Sequence, residues 1–178
     1  MMRIRLTSGL VRLGAVVFVG LALLQATPLQ AQDVTAQTLV DRAQVQDLIT
    51  RYYYNFGKED PGSFAHFYAE DAELILGDTH FKGLEGITRA YAGAGKNSPM
   101  RQAYAFNVTI SNPLIVVHGE TATARLIFTE YLTAKRGDAP TIRTQGREYA
   151  TFVKTHGQWR YRTRRIMSGA EVPKGWTD

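Results

Sequence analysis

From Gln102 to Ile166 apolar side chains recur close to every second residue, and this alternation constrains the fold more than any other feature of the chain. Tyr104, Phe106, Val108, Ile110, Asn112, Leu114 and Val116 would share one face of a long strand. Pro113 within it predicts an edge position or a bulge, because proline cannot donate to a ladder. His118-Gly119-Glu120 reads as a turn, and the next strand places Ala122, Ala124, Leu126, Phe128, Glu130 and Leu132 on one face. Residues 143–154 and 158–166 form two more strands around His156-Gly157. Long strands joined by short turns pair antiparallel, and a sheet with one apolar face needs a second layer to cover it.

The N-terminal half supplies that layer. Residues 41–56 read as an amphipathic helix, with Val45, Leu48, Ile49, Tyr52 and Phe56 at three- and four-residue spacing. Tyr53 falls at the flank of the stripe and Tyr54 on the far side; Gly57 ends the helix. Asp60-Pro61 reads as an N-cap and first helical position, opening a short helix through Phe64, Phe67 and Tyr68. Residues 73–76 and 80–82 make a small hairpin at Gly77-Asp78. A third helix runs from Gly83 to about Ala92, and Gly93 to Pro99 is a loop. Three helices followed by long antiparallel strands predict an α+β domain with the helices against one sheet face.

Residues 1–31 are expected to be a cleavable export signal and residues 32–178 the domain. Arg3, Arg5 and Arg12 precede an apolar run from Leu13 to Leu24, and a polar stretch closes on Ala31. That run falls short of the ~20 apolar residues that span a bilayer. The expected location is periplasmic or secreted, without stable membrane insertion after cleavage. Without the three leader arginines, the balance is 18 basic against 16 acidic side chains. Such a near-neutral body offers no basic face to neutralise phosphates, so nucleic acid is not an expected partner. The absence of cysteine excludes disulfides, thiolate metal sites and a cysteine nucleophile.

Several segments, in order and spacing, resemble the SnoaL-like branch of the nuclear transport factor 2-like superfamily. They are Asp41-Arg-Ala-Gln-Val-Gln-Asp-Leu48, Phe67-Tyr-Ala-Glu-Asp-Ala72, Phe81-Lys-Gly-Leu-Glu-Gly-Ile87, and Gly157-Gln-Trp-Arg-Tyr161 with Arg164. The resemblance implies a cone-shaped barrel of curved, mostly antiparallel sheet against the helices. It also implies a pocket between sheet and helices, a homodimer or homotrimer, and cofactor-free chemistry such as dehydration, isomerisation or elimination. Enzymes of that family often use a histidine base oriented by an aspartate at the end of the first helix. Here Gly57 stands at the aspartate's place and Val108 at the histidine's, four residues before Asn112. The resemblance thus supports a pocket, while the residues oppose the usual dyad.

Other polar groups on apolar faces become the candidates. Asn112 and Glu130 occupy such positions; a buried carboxylate must be paired or shift its pKa, and either suits acid-base work. For Glu130 the alternatives are an arginine partner in the core or a frayed strand end. Tyr53 could donate to a developing oxyanion or exchange a proton. Tyr52, Tyr104, Phe106, Phe128 and Trp159 would form walls, with His80 bordering the pocket from its hairpin. In Arg160-Tyr-Arg-Thr-Arg-Arg165 one arginine could turn inward to bind an anionic or phenolic oxygen. The resemblance favours Arg164 and strict alternation favours Arg165; a bulge would reconcile them. No histidine has a second ligand at metal spacing, and no phosphate loop or dinucleotide motif is present, so neither metal nor cofactor is expected. The expected function is a lyase or isomerase acting on a hydrophobic, aromatic or phenolic small molecule. The alternative is a non-catalytic binding or oligomerisation module of the same fold.

Overall fold

The computed structural model describes residues 34–169 apart from 57–60, 96 and 136. The expected leader, Gly57 and Asp60 therefore lie outside the described residues. The first helix, α1 (Ala36–Asn55), starts five residues earlier than its apolar stripe, because Thr35 and Thr38 form a reciprocal capping box. Asp41, Val45, Ile49 and Tyr52 are its buried residues, while Tyr54 is exposed. The segment Pro61–Phe67 is helical with the tighter 3-10 winding rather than α, and Tyr68 opens a strand instead of closing that helix.

Two strands follow, β1 (Tyr68–Leu76) and β2 (Thr79–Lys82), hairpinned at Gly77, whose φ of 57° is in the left-handed region that glycine enters freely. Then come α2 (Gly83–Tyr91) and a short helix, α3 (Pro99–Ala103), which the composition of the preceding loop did not announce. Ser98 caps α3 and Pro99 takes its first turn. Four long strands complete the domain: β3 (Ala105–His118), β4 (Thr121–Thr133), β5 (Thr141–Thr155) and β6 (Gln158–Ser168).

The sheet order is β2-β1-β6-β5-β4-β3, with β1 and β6 parallel and every other pair antiparallel. The α+β fold with a curved, mostly antiparallel sheet against the helices is as expected, and the sheet does not close: β2 and β3 remain edges. Helix α1 packs against β3 and β6, and α2 against β1 and the 3-10 segment. Between helices and sheet lies the apolar core, built from Val45, Ile49 and Tyr52 of α1 with Ala124, Leu126, Ala150, Phe152 and Tyr161 of the strands.

Two bulges decide which side chains reach that core. In β3 the register to β4 slips between Ser111 and Leu114, around Pro113, on an edge strand as proline requires. Asn112 takes φ 51° there, and beyond it the inward set changes to Ile115 and Val117. Asn112 and Leu114 consequently face solvent, against the uniform alternation expected of this strand. In β6 the slip falls between Tyr161 and Thr163, with Arg162 as the extra residue. Trp159 and Tyr161 point inward before it, and Arg164 rather than Arg165 is buried after it.

Candidate functional site

The open end of the core holds a charged cluster built from five elements. Tyr52 and Tyr53 come from the last turn of α1, Tyr68 from the start of β1, and Tyr91 from the end of α2. Glu148 comes from β5 and Arg164 from β6. Arg164 stands opposite Ala150 on β5, so Glu148, two residues earlier, is its diagonal neighbour on the same face. Their side chains are 0% and 4% exposed and meet at 2.8 Å from Arg164 Nη2 to Glu148 Oε2.

Burying both charges costs several kcal/mol for each ion, and the cluster offsets that with hydrogen bonds from nearly every side. Tyr53 donates its hydroxyl to Glu148 Oε2 at 2.5 Å and accepts from Arg164 Nη2 at 3.0 Å. Arg164 Nη1 donates to Tyr68 at 3.2 Å and to Tyr91 at 3.0 Å. The guanidinium also lies 3.9 Å from the centre of the Tyr52 ring, a cation–π contact in a dry setting. Glu148 Oε1, Arg164 Nε and the Tyr161 hydroxyl have no partner among the described residues.

The protonation states follow. Burial pushes the phenols of Tyr52, Tyr53, Tyr68, Tyr91 and Tyr161 well above their ordinary range, so each is a neutral hydroxyl. Burial works against the charge of Arg164, but Glu148 and the phenol oxygens outweigh it and hold the guanidinium ionised. The cluster therefore consists of one fixed cation, its carboxylate, and a ring of uncharged donors.

A cavity of about 230 Å³ opens onto this cluster. Tyr52, Tyr53, Tyr91 and Arg164 form its polar end, Phe56, Phe128 and Ile166 its apolar walls, and Glu130 is its one carboxylate among the described residues. Glu130 is half-buried and pairs with Arg143 across the β4–β5 bulge. Three other depressions, of about 230, 510 and 390 Å³, are bordered largely by exposed or half-exposed side chains and lack an apolar wall facing a buried cation. Among the described residues no three His, Asp or Glu side chains converge as a metal site would require.

The structure brings together Tyr52, Tyr53, Phe128, Glu130 and Arg164 of the residues singled out from the sequence. Phe106 is buried beside the cavity, packed on Phe56 and covered by the Arg101 guanidinium at 4.0 Å. The others lie elsewhere. Asn112 is exposed at the β3 bulge, and Tyr104 is 41% exposed at the end of α3. Trp159 is buried against Asp41, to which its indole donates at 3.3 Å. His80 is on the surface, paired with Glu73 at 2.8 Å, and Arg165 is carried to the other sheet face by the β6 bulge. Val108, where the resemblance would put a histidine, stands opposite Glu130 on the neighbouring strand.

Sequence reasoning missed Glu148, Tyr68 and Tyr91. Glu148 had a usable signal: Gly146, Ala150 and Phe152 alternate with it on the inward face of β5, where a carboxylate demands a buried cation. Tyr68 and Tyr91 gave none, since each is one aromatic among many at a helix or strand end.

The family model for the SnoaL-like domain matches residues 37–165 of the chain. No curated protein matches the sequence. An NTF2-like protein with a cystatin-like fold from Novosphingobium aromaticivorans is 23% identical, with a TM-score of 0.62 over 72% of this chain and 81% of the other. A candidate scytalone dehydratase from the same organism is 19% identical, with a TM-score of 0.60 over 79% of this chain and 97% of the other. ActVI-ORFA from Streptomyces coelicolor is 14% identical, with a TM-score of 0.62 over 71% of this chain and 95% of the other. At these identities the likeness establishes the fold.

Proposed function

The chain belongs to the SnoaL-like domain family, and from that premise we propose that it is an exported, cofactor-independent lyase or isomerase acting on a small aromatic molecule by elimination or proton transfer. One observation carries the proposal: an apolar cavity ends on a buried, permanently charged arginine ringed by neutral phenols, with a carboxylate on its wall. Charge that develops on a carbonyl or phenolic oxygen at the polar end would meet Arg164 and a hydroxyl donor already in place. Glu130 is the proton acceptor, because the phenols are too weakly acidic to serve as bases near neutrality. The cavity volume favours one ring with its substituents, since a cavity of about 150 Å³ accepts benzene and drug-sized ligands need roughly 300 Å³ or more. The likeness to a candidate scytalone dehydratase agrees with elimination as the reaction class.

The test uses the protein lacking residues 1–31, a panel of single-ring phenols, aldehydes and ketones, thermal shift for binding and mass spectrometry for product. Binding with conversion, reduced at least about a hundredfold in Glu130→Gln, is the expected result. Stabilisation by many ligands with conversion of none would favour the second reading, a non-catalytic binding module, which the ion pair between Glu130 and Arg143 supports by occupying the carboxylate. Export is tested by following the location of the full chain in a Gram-negative host, and assembly into a homodimer or homotrimer by light scattering.

A further inference from the structure

Counting hydrogens at the polar end of the cavity identifies a donor that the protein leaves uncommitted. Tyr53 has one hydroxyl hydrogen, and it goes to Glu148. Tyr161 does not line the cavity, and the remaining three phenols share two oxygen-to-oxygen contacts, Tyr52 with Tyr91 at 2.8 Å and Tyr68 with Tyr91 at 2.7 Å. Two contacts use two hydrogens, and three phenols bring three. Arg164 Nη1 donates to both Tyr68 and Tyr91, so it occupies lone pairs there and accepts nothing. One hydroxyl hydrogen of these three is left over.

The direction of the chain decides where it sits. If Tyr52 donates to Tyr91 and Tyr91 to Tyr68, the spare hydrogen is on Tyr68, which borders a surface depression with Glu70, Asp71 and Arg162 rather than the cavity. If Tyr68 donates to Tyr91 and Tyr91 to Tyr52, it is on Tyr52, which lines the cavity. The third arrangement, with both donating into Tyr91, would load that oxygen with three donors, more than its two lone pairs accept. An accepting oxygen inside the cavity selects the second direction, because only there does the spare hydrogen gain a partner.

Resting on the small-molecule reading of this cavity, we propose that Tyr52, not Tyr53, is the residue that donates to the bound molecule. The cavity accordingly selects aromatic compounds that present an accepting oxygen, as a phenolate or an aryl carbonyl. Arg164 works in the same sense. It lines the cavity, and its Nε is a second buried donor without a partner among the described residues. Tyr53 holds Arg164 and Glu148 in place and contributes no hydrogen of its own.

The probe is para-nitrophenol, whose neutral and ionised forms absorb at different wavelengths, titrated into the folded protein at a pH where the free phenol is mostly neutral. The expected result is the phenolate band on binding, with affinity for that form about tenfold lower in Tyr52→Phe, the typical worth of a hydrogen bond to a charged oxygen. Tyr53→Phe should change it far less. Tyr91→Phe removes the internal acceptor that competes for the Tyr52 hydrogen and should therefore keep the affinity for that form, while the phenolate band of the unmodified protein keeps the test decisive if a variant folds poorly. Binding in the neutral form, or a larger effect of Tyr53→Phe than of Tyr52→Phe, overturns the inference while leaving the small-molecule cavity standing. Failure of para-nitrophenol and of every single-ring aldehyde and ketone to bind overturns both.

Discussion

Replacing Glu148 by glutamine keeps the shape of the side chain and removes the charge that compensates Arg164. The two side chains are 0% and 4% exposed, so solvent cannot take over the role of the carboxylate. Breaking a buried ion pair from one side costs about 3–5 kcal/mol. Glutamine retains an accepting oxygen for Arg164 and Tyr53, which places the expected loss near the lower bound, about 3 kcal/mol. For a domain of this size each kcal/mol lowers Tm by roughly 2–4 °C, so the midpoint should fall by about 10 °C. Arg164→Met should cost a similar amount by stranding Glu148. The double variant is the discriminating measurement, because it removes both charges together. Urea denaturation at constant m should give it a loss of about 4 kcal/mol rather than the roughly 6 kcal/mol of two independent changes. Additivity within about 0.5 kcal/mol would refute the coupling, and a single-variant loss under about 1 kcal/mol would refute the burial argument itself.

Three further outcomes are expected. Asp41 accepts from Lys154 at 2.6 Å and from Gln37 at 2.9 Å, and those bonds hold its carboxyl below the usual range. A depressed carboxyl contributes stability above its unfolded pKa and loses it as pH falls through the folded one. Asp41→Asn should therefore be less stable than the native protein at neutral pH and converge with it in acid, as read from paired denaturation curves. In Gly146→Ala the new methyl carbon would stand 2.2 Å from the Met167 carbonyl oxygen and 2.6 Å from the Phe128 ring. A loss of about 1–3 kcal/mol in chemical denaturation should follow, together with weaker ligand binding, since Phe128 is a wall of the cavity. Thr35→Ala removes the cap of α1 and should cost about 1 kcal/mol without changing ligand affinity, because the cap is at the opposite end of α1 from Tyr52 and Tyr53.

Much of the candidate site was legible in the chain. The helical stripe carrying Tyr52, the flanking position of Tyr53, and the alternation carrying Phe128 and Glu130 all follow from period alone, and these four side chains line one cavity. Asn112 shows where that logic stops. Uniform alternation assigns it to the inner face with Val108 and Ile110, but the residue added at the Pro113 bulge changes the count, and Asn112 reaches solvent. The arginine pair shows the same physics with the opposite consequence. Alternation from Trp159 and Tyr161 would bury Arg165, and the bulge at Arg162 buries Arg164 instead.

What the sequence determined by itself is what depends on neighbours along the chain. Helical and strand periods, the turn at Gly77, an α+β layering and an absence of disulfides are all local or compositional properties, set by backbone sterics and residue chemistry. What only the tertiary structure decided is which distant residues meet, as Arg164 does with Tyr53, 111 positions away. The pairing of Glu148 with Arg164 depends on strand register, and the phenol contact between Tyr52 and Tyr91 on where two helices end. A single bulged residue shifts that register and reverses every face beyond it. A local pattern can therefore name the groups able to do chemistry, while the count of residues between bulges decides which of them face the same cavity.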